Sequence, residues 1–389
     1  MKYNFDKPTD RRGTPSLKWN VRDGELPMWV ADMDFETSPA VRAAICKTAE
    51  HGIFGYSDLS DEYFESVSSF WHRRFGYRFD PSEMIFVTGV VAAISSIVRK
   101  LTTPGEKVLI QAPVYNIFYN SILNNGRFAV SSDLVYEGGE YSVDFSDLED
   151  KLADPQTSLM ILCNPHNPVG KVWDRETLAH IGELCYKHGV TVVSDEIHGP
   201  VTTPGISYVP FASASDICRK ISVTCISASK AFNIAGLAAA CVVVSDPVMR
   251  HRVWRGINTD EVGEPNIFAV NACIAAFRDS DGWLDGLNEY VYENKLYCYE
   301  FIENNIPLLK PVRSSATYLL WVDVSAYTDN SKEFVRDLRE KTGLYISDGT
   351  KYGGSGERFV RINLGTQRQN VVDAMQRLKS YVDLIEGKK

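Results

Sequence analysis

A lysine lies between two apolar segments in the stretch VTCISASKAFNIAGLAAACVVV, residues 223–244. Lys230 follows Ser227 and Ser229, and a segment rich in glycine and alanine comes after it. Because burial disfavours an unpaired ammonium group, an amine in such a setting loses part of its basicity. A neutral lysine amine is a nucleophile toward aldehydes. The pattern therefore predicts that Lys230 is a reactive amine at the end of a buried strand.

A carboxylate and an imidazole belong to a second apolar stretch, TVVSDEIHGP, residues 191–200. Asp195 closes its apolar run, so we expect it to be partly buried and to face a cation or a strong hydrogen-bond donor. His198 lies three residues further on. The sequence fits a site role and a purely structural role for His198 equally well.

Two asparagines, Asn164 and Asn167, follow the apolar run LMILC in the segment NPHNPVGKVW. Their side-chain amides can donate and accept hydrogen bonds to a ligand. The VGK triplet does not belong to a nucleotide-binding P-loop, since Pro165 stands where that loop requires glycine and Val172 where it requires serine or threonine. The segment is a candidate ligand-binding loop.

The turns after two further apolar runs add an anion site and an aromatic ring as candidates. MIFV, residues 84–87, leads into TGVVAAISSIV, where Gly89, Val90 and Val91 would present backbone N–H groups to an anion at a helix N-terminus. A plain strand–helix turn explains the same pattern, so the sequence leaves both interpretations open. Tyr115 follows the run at 107–111 and is either a packed aromatic or a platform for ring stacking.

These residues share a position in the fold, because each follows a predicted strand. Between residues 84 and 244 short apolar runs alternate with helical patterns, which predicts an α/β fold with a mostly parallel sheet covered by helices on both faces. Ligands bind beyond the carboxyl ends of strands in such sheets. We expect an N-terminal arm with part of a small domain over 1–45, a large domain over 46–284, and a small α+β domain over 285–389.

Composition sets limits on partners and compartment. The chain has 389 residues and a formal net charge of −9, which argues against a nucleic-acid or anionic-membrane binder. Most of its eight cysteines lie in apolar runs without a C-x-x-C spacing, which favours free buried thiols and a cytoplasmic location. No metal-binding pattern is present, and we predict no metal site.

One cofactor accounts for all of these groups together. A desolvated lysine amine binds an aldehyde, an N–H cradle with nearby hydroxyls binds a phosphate, a tyrosine ring covers a heterocycle, and a buried aspartate holds a protonated ring nitrogen. This combination describes pyridoxal 5′-phosphate, which acts as an electron sink for amino-acid carbanions.

The same motifs carry a resemblance that spans nearly the whole chain. NPHNPVGKVW, SDEIH and SASKAFNIAGL, in this order, resemble the motifs of fold-type I pyridoxal-phosphate enzymes, the superfamily of class I/II aminotransferases. LPMWVADMDF, FGYSD, APVYNIF and ATYLLWVD resemble one branch of it, the cystathionine β-lyase-like carbon–sulfur lyases. The set is specific as an ordered group, although each motif alone is weak.

The resemblance assigns roles to individual positions. Lys230 would form the internal aldimine, Asp195 would pair with the pyridinium nitrogen, Asn167 would bind the phenolic oxygen, and Tyr115 would stack on the ring. Lys230, Asp195 and Tyr115 are therefore the predicted catalytic residues. The remaining predicted cofactor-binding residues are Gly89, Val90, Val91, Ser227, Ser229, His198 and Tyr56.

The resemblance also implies a substrate clamp and a shared site. Arg361, in RFVRINLGT, would grip the substrate carboxylate, with Arg358 as a lower-ranked candidate in the same strand and with Asn167 and Ala31 as further substrate-binding residues. Tyr56 would reach the phosphate of a neighbouring subunit, which implies a homodimer.

The resemblance favours one reaction and leaves a second open. It implies α,β-elimination of L-cystathionine or a related S-conjugate of L-cysteine, giving a thiol, pyruvate and ammonia. Ala238 stands where many aminotransferases have arginine, and His198 where they often have tyrosine, so both positions fit the lyase branch better. Neither excludes an aminotransferase, and a mainly regulatory protein with this fold is a further alternative. The sequence does not determine the preferred sulfur amino acid.

Overall fold

The computed structural model describes residues 3–387 of the chain. The strands, in chain order from β1 to β15, are Leu26–Pro27, Met84–Val87, Lys107–Ile110, Phe128–Ser131, Val135–Glu137, Glu140–Ser142, Thr157–Cys163, Thr191–Asp195, Ser222–Ile226, Ala240–Val243, Lys310–Pro311, Leu319–Asp323, Leu344–Tyr345, Ser347–Asp348 and Phe359–Asn363. The α-helices, from α1 to α13, are Pro39–His51, Asp61–Phe75, Val90–Leu101, Ile117–Leu123, Phe145–Leu152, Arg175–Lys187, Phe211–Ala214, Asp216–Ile221, Pro247–Thr259, Ile267–Asp279, Asp281–Asn305, Ser331–Thr342 and Arg368–Ile385.

Within the described residues, seven strands form a large sheet in the order β2-β10-β9-β8-β7-β3-β4. Neighbouring strands are parallel except at β10, which runs antiparallel to β2 and β9. Along β7, alternate side chains enter different cores: Ile161 and Cys163 pack on one face, and Met160 and Leu162 on the other. The predicted mostly parallel sheet, covered on both faces, is confirmed.

Local signals fix both ends of the first helix, α1. Ser38 is the N-cap of α1 and accepts a hydrogen bond from the Val41 amide, and Pro39 occupies the first turn. Gly52 ends the helix with a φ of 74°, in the left-handed region that favours glycine.

A second, antiparallel sheet follows after residue 305, with the strand order β11-β12-β15-β14. The sequence predicts one strand over LYIS, residues 344–347, and this is wrong in detail. Leu344 and Tyr345 pair with β1 of the N-terminal arm, whereas Ser347 and Asp348 pair with β15. The chain therefore changes sheets at Ile346, because the arm supplies a partner strand that no local pattern reveals.

The N-terminal arm contacts both parts of the molecule. Leu26 and Met28 belong to the core of the small sheet, while Phe5 and Phe35 pack in a core that also contains Trp283. The expected domain limits at residues 45 and 284 lie inside α1 and α11 respectively, and the division into domains stays a prediction.

The cysteines are free within the described residues, and all but the exposed Cys46 are buried. None of the described helices is both long enough and apolar enough to cross a lipid bilayer.

Candidate active site

A cavity of about 500 Å³ lies at the carboxyl edge of the large sheet, where the small sheet covers it. It brings together most of the site residues that the sequence predicts. Those that line it are Ala31, Gly89, Val90, Val91, Tyr115, Asn167, Asp195, His198, Ser229, Lys230 and Arg361. The strand ends converge here because β2, β3, β7, β8 and β9 all point in the same direction.

Lys230 holds its amine inside the cavity, just beyond the end of β9. Its Nζ donates a hydrogen bond to the carbonyl oxygen of Ala31 at 2.6 Å, and the hydroxyl of Tyr318 donates to the same oxygen at 2.9 Å. Burial lowers the pKa of Lys230 to about 8, and the nearby Arg361 cation adds to this shift, while Asp32 opposes it. The amine therefore becomes neutral, and nucleophilic, at a lower pH than an exposed lysine.

Asp195 is a buried carboxylate at the last position of β8. In the sheet it lies opposite Cys163 of β7 and Cys225 of β9, which are also buried. Burial raises the pKa of Asp195 to about 7, although a hydrogen bond from the Ile197 amide at 3.2 Å acts to lower it. None of the described residues forms a salt bridge with it, so the site suits a cationic ligand group.

The N-terminus of α3 faces the same cavity. Gly89 is its N-cap with a φ of 130°, and it offers no side chain to the first amides of the helix. The first N–H groups of a helix have no acceptor within the helix, and the helix dipole favours an anion beside them. Thr88, Val90 and Val91 line the cavity at this end, and Ser229 adds a hydroxyl. This end of the cavity therefore suits an anion.

Arg361 and Asn167 form the opposite end. Arg361 lies on β15 and is 5% exposed. One guanidinium nitrogen donates to Asn167 Oδ1 at 3.3 Å and the other to the carbonyl of Trp29 at 3.0 Å. Within residues 3–387 its Nε is buried without a hydrogen-bond partner. A buried guanidinium with free donor capacity suits a carboxylate.

His198 and Tyr115 complete the wall. Burial lowers the pKa of His198 to about 3, and the cations Lys230 and Arg361 lower it further, so the ring is neutral at pH 7. Its Nδ1 is buried without a partner among the described residues. Burial raises the pKa of Tyr115 to about 12, which keeps its hydroxyl protonated. Both rings line the cavity and neither carries charge.

Three sequence candidates lie outside this cavity. Ser227 Oγ donates to the carbonyl of Ala239 at 2.6 Å, behind Ser229, and Ser227 is not among the residues that line the cavity in the described chain. Tyr56 lies on the surface and is fully exposed in the single chain. Arg358 is exposed, in a short 3₁₀ segment before β15.

Several site residues are not visible to sequence reasoning. Trp29 contributes a wall and a carbonyl for Arg361, and its place inside LPMWVADMDF is the one signal that could have found it. Tyr352 lies under the Arg361 guanidinium, with 5.1 Å between the guanidinium carbon and the ring centroid. Tyr318 holds the Ala31 carbonyl. Neither tyrosine follows a strand of the large sheet, so the strand-end rule misses both.

Residues 26–378 match the family model described as aminotransferase class I and II. The chain belongs to this family. The match covers the cavity from the Trp29 wall to the Arg361 strand and ends within α13.

Relatives and solved structures extend along nearly the full chain. The chain is 41% identical over 384 residues to the protein named cystathionine beta-lyase PatB of Bacillus subtilis, covering 97% of this chain and 99% of that one. A PLP-bound putative aminotransferase from Clostridium difficile is similar with a TM-score of 0.95 at 35% identity, covering 98% and 100%. A PLP-bound C-S lyase from Staphylococcus hominis, in its external aldimine form with L-cycloserine, has a TM-score of 0.92 at 32% identity, covering 98% of each chain.

Proposed function

We propose that this protein is a pyridoxal 5′-phosphate-dependent carbon–sulfur β-lyase that cleaves L-cystathionine or related S-conjugates of L-cysteine to a thiol, pyruvate and ammonia. One observation carries the proposal. The Lys230 amine, whose pKa burial lowers to about 8, lies in one cavity with Asp195, Asn167 and Arg361. A protein named cystathionine beta-lyase matches this chain over 97% of its length.

The residues present fit this cofactor group by group. The N-terminus of α3 with Ser229 suits the phosphate, and the Lys230 amine suits the aldehyde. Asp195, buried without a salt bridge to any described residue, suits a protonated ring nitrogen. The Asn167 amide suits the phenolic oxygen, and the neutral rings of Tyr115 and His198 suit contact with a flat aromatic ring.

The bound cofactor supplies an aldehyde carbon for the amino group and a ring that withdraws electrons from the substrate Cα. The chain supplies the rest of the chemistry. Arg361 fixes the α-carboxylate with a bidentate hydrogen bond, which orients the Cα–H bond. Lys230 Nζ, whose pKa is about 8, removes the Cα proton as a general base. The Ala31 carbonyl and Tyr318 hold that amine in place.

The proposed elimination balances without a further reactant except water. The Cα–H electron pair becomes the Cα–Cβ double bond, and the Cβ–S bond breaks as the thiolate leaves. The proton remains on Lys230, which can return it to the leaving sulfur. The released aminoacrylate is hydrolysed to pyruvate and ammonia. Transamination would instead require one keto acid to receive each amino group, so it would stop after a single turnover when no keto acid is added.

The test follows from that difference. The cofactor-loaded protein is incubated with L-cystathionine and no keto acid, and pyruvate and free thiol are measured with time. We expect both products in equal amounts over many turnovers, and none from Lys230→Ala. A single stoichiometric release that resumes only after a keto acid is added would overturn the proposal in favour of an aminotransferase.

We further propose a homodimer with shared sites and a cytoplasmic location. The exposed side chains of Ile53, Phe54 and Tyr56 form an apolar stretch that a second subunit would cover. The buried free cysteines favour a reducing compartment.

A further inference from the structure

One cation of the cavity wall has no role in the proposed reaction. Lys351 belongs to the 3₁₀ segment Thr350–Tyr352, which follows β14, and it lines the cavity. Its side chain is partly exposed, with 37% of its surface accessible. A ligand in the cavity can therefore contact this side chain.

The charges that line the cavity are assigned except for this one. Asp195 and Lys230 serve the cofactor, and Arg361 serves the substrate α-carboxylate. His198 is neutral. Lys351 therefore leaves the substrate half of the cavity with a positive charge that neither the cofactor nor the α-carboxylate neutralises.

The position of Lys351 separates it from the phosphate end. It comes from the small sheet, with Ser347, Tyr352 and Arg361 as neighbours in the wall, whereas the anion cradle of α3 belongs to the large sheet. Lys351 Nζ lies 5.9 Å from the centroid of the Tyr352 ring, and the Arg361 guanidinium carbon lies 5.1 Å from the same centroid. Both cations therefore lie close to the same aromatic ring, on the substrate side of the cavity.

The ion pair that Lys351 forms in the protein is weak enough to exchange. Its Nζ lies 3.5 Å from Asp348 Oδ2, longer than the roughly 2.7–2.9 Å of a strong charge-assisted hydrogen bond. Partly exposed pairs of this kind contribute little to stability. Burial lowers the pKa of Lys351, Asp348 raises it, and Arg361 lowers it again. A second carboxylate beside Lys351 would favour its charged form.

We propose that Lys351 binds a carboxylate at the far end of the substrate's sulfur substituent, so that thioether amino acids with two carboxylates are the preferred substrates. This inference rests on the proposed function, since it assumes that the α-carboxylate occupies Arg361. The juxtaposition that carries it is that two cations, Lys351 and Arg361, lie within 6 Å of the Tyr352 ring centroid in the wall of a single cavity. Lys351 is a specificity residue in this account, because it contacts only the leaving group.

Four thioethers of similar length test the effect of the far carboxylate while the bond that breaks stays the same. L-Cystathionine and S-(3-carboxypropyl)-L-cysteine carry the far carboxylate, whereas S-(3-aminopropyl)-L-cysteine and S-propyl-L-cysteine lack it. All four release an alkyl thiolate, so the bond-breaking step is matched. We expect the wild-type protein to bind the two carboxylates about tenfold more tightly than the other two, as one charge-assisted contact implies.

Variants then test whether Lys351 causes the preference for the far carboxylate. Lys351→Gln should lower the ratio of kcat/KM between S-(3-carboxypropyl)-L-cysteine and S-propyl-L-cysteine about tenfold, mainly through KM, and Lys351→Arg should restore most of it. Lys332→Gln, at an exposed lysine of α12 outside the cavity, is the matched control and should leave the ratio unchanged. An unchanged ratio in Lys351→Gln would overturn the inference.

Two readouts keep this inference distinct from the proposed function. Spectral titration of the cofactor-loaded protein with the four thioethers measures binding, and pyruvate release measures elimination. A binding preference for the far carboxylate that depends on Lys351 supports the inference even if no pyruvate forms. The absence of pyruvate would overturn the proposed function alone. Weakened cofactor binding in Lys351→Gln, with an unchanged substrate ratio, would make Lys351 a cofactor ligand and overturn the inference.

Discussion

At the scale of single residues, the site depends on one amine whose basicity the fold reduces. Lys230 lies beyond the last residue of β9, where burial and the Arg361 cation both disfavour its charged form. Asp195 and Asp32 act in the opposite direction, which keeps the pKa at about 8 rather than lower. The amine is thus neutral in a useful fraction near pH 8 while it remains inside a polar cavity.

This balance predicts the pH dependence of cofactor uptake. In cofactor-free protein mixed with pyridoxal 5′-phosphate, the rate of imine formation should rise with pH and level off above about 8, since only the neutral amine attacks the aldehyde. Stopped-flow absorbance measures the rate. The free cofactor with a simple primary amine is the control. A rate that still climbs tenfold between pH 9 and 10 would show that Lys230 is not desolvated.

The sequence allows some of these residues to be predicted for a physical reason. Asp195, Asn167 and Lys230 follow apolar strands, and parallel strands bring their carboxyl ends to one edge. Ser227 shows where this reasoning stops, because its hydroxyl is used by the Ala239 carbonyl. Lys351 shows the opposite case, a cavity residue that the strand-end rule does not find. It follows no strand of the large sheet, and it reaches the cavity through the packing of the small sheet.

At the scale of elements, α11 connects the two halves of the molecule through polar side chains on its buried face. Asn288 donates to the carbonyl of Pro200, and Asn294 donates to the carbonyls of Leu364 and Thr366. Lys295 Nζ donates to the carbonyl of Ala316 at 3.0 Å. The polar inner face of this helix cannot be predicted from the sequence, because the carbonyls that it meets belong to distant segments.

Lys295 makes this helix sensitive to pH. Burial lowers the pKa of Lys295 to about 7, from an ordinary value near 10.5, so the unfolded chain binds more protons between these values. Stability therefore rises with pH across that window as far as this residue is concerned. Lys295→Met should increase the free energy of unfolding at pH 7 by about 1 kcal/mol or more, and Tm should rise accordingly. At pH 9 the increase should be smaller.

Thermal unfolding of the cofactor-free protein at the two pH values tests this expectation. Lys332→Met, at an exposed lysine of α12, is the control and should change Tm little at either pH. A lower Tm for Lys295→Met at both pH values would mean that the bond to Ala316 outweighs the cost of burying the amine.

At the scale of the whole molecule, the site is built from two layers of one chain and, in the proposed dimer, from a second chain. The large sheet supplies the residues to which we assign the cofactor, and the small sheet with the arm supplies Arg361 and the Trp29 wall. Tyr56 is the residue that the proposal assigns to the neighbouring subunit, and its full exposure in the single chain leaves it free for that contact.

A mixed-dimer experiment tests the shared site. Lys230→Ala and Tyr56→Ala proteins are unfolded together, refolded and assayed against each protein treated alone. If each site uses Lys230 of one subunit and Tyr56 of the other, a mixed dimer contains one intact site, and activity should rise above the mean of the two variants. Activity equal to that mean would show that Tyr56 does not act across the subunits.

The central claim is that Lys230 is the amine that holds the cofactor. Two other lysines are buried within residues 3–387, and they make the test selective. Lys18 is paired with Asp34 at 2.7 Å, and Lys295 lies in α11; neither lines the cavity in the described chain. Borohydride reduction of the cofactor-loaded protein, followed by peptide mapping, locates the attachment. The account predicts one phosphopyridoxyl group, on Lys230. A label on Lys18, on Lys295 or on no lysine at all would contradict it.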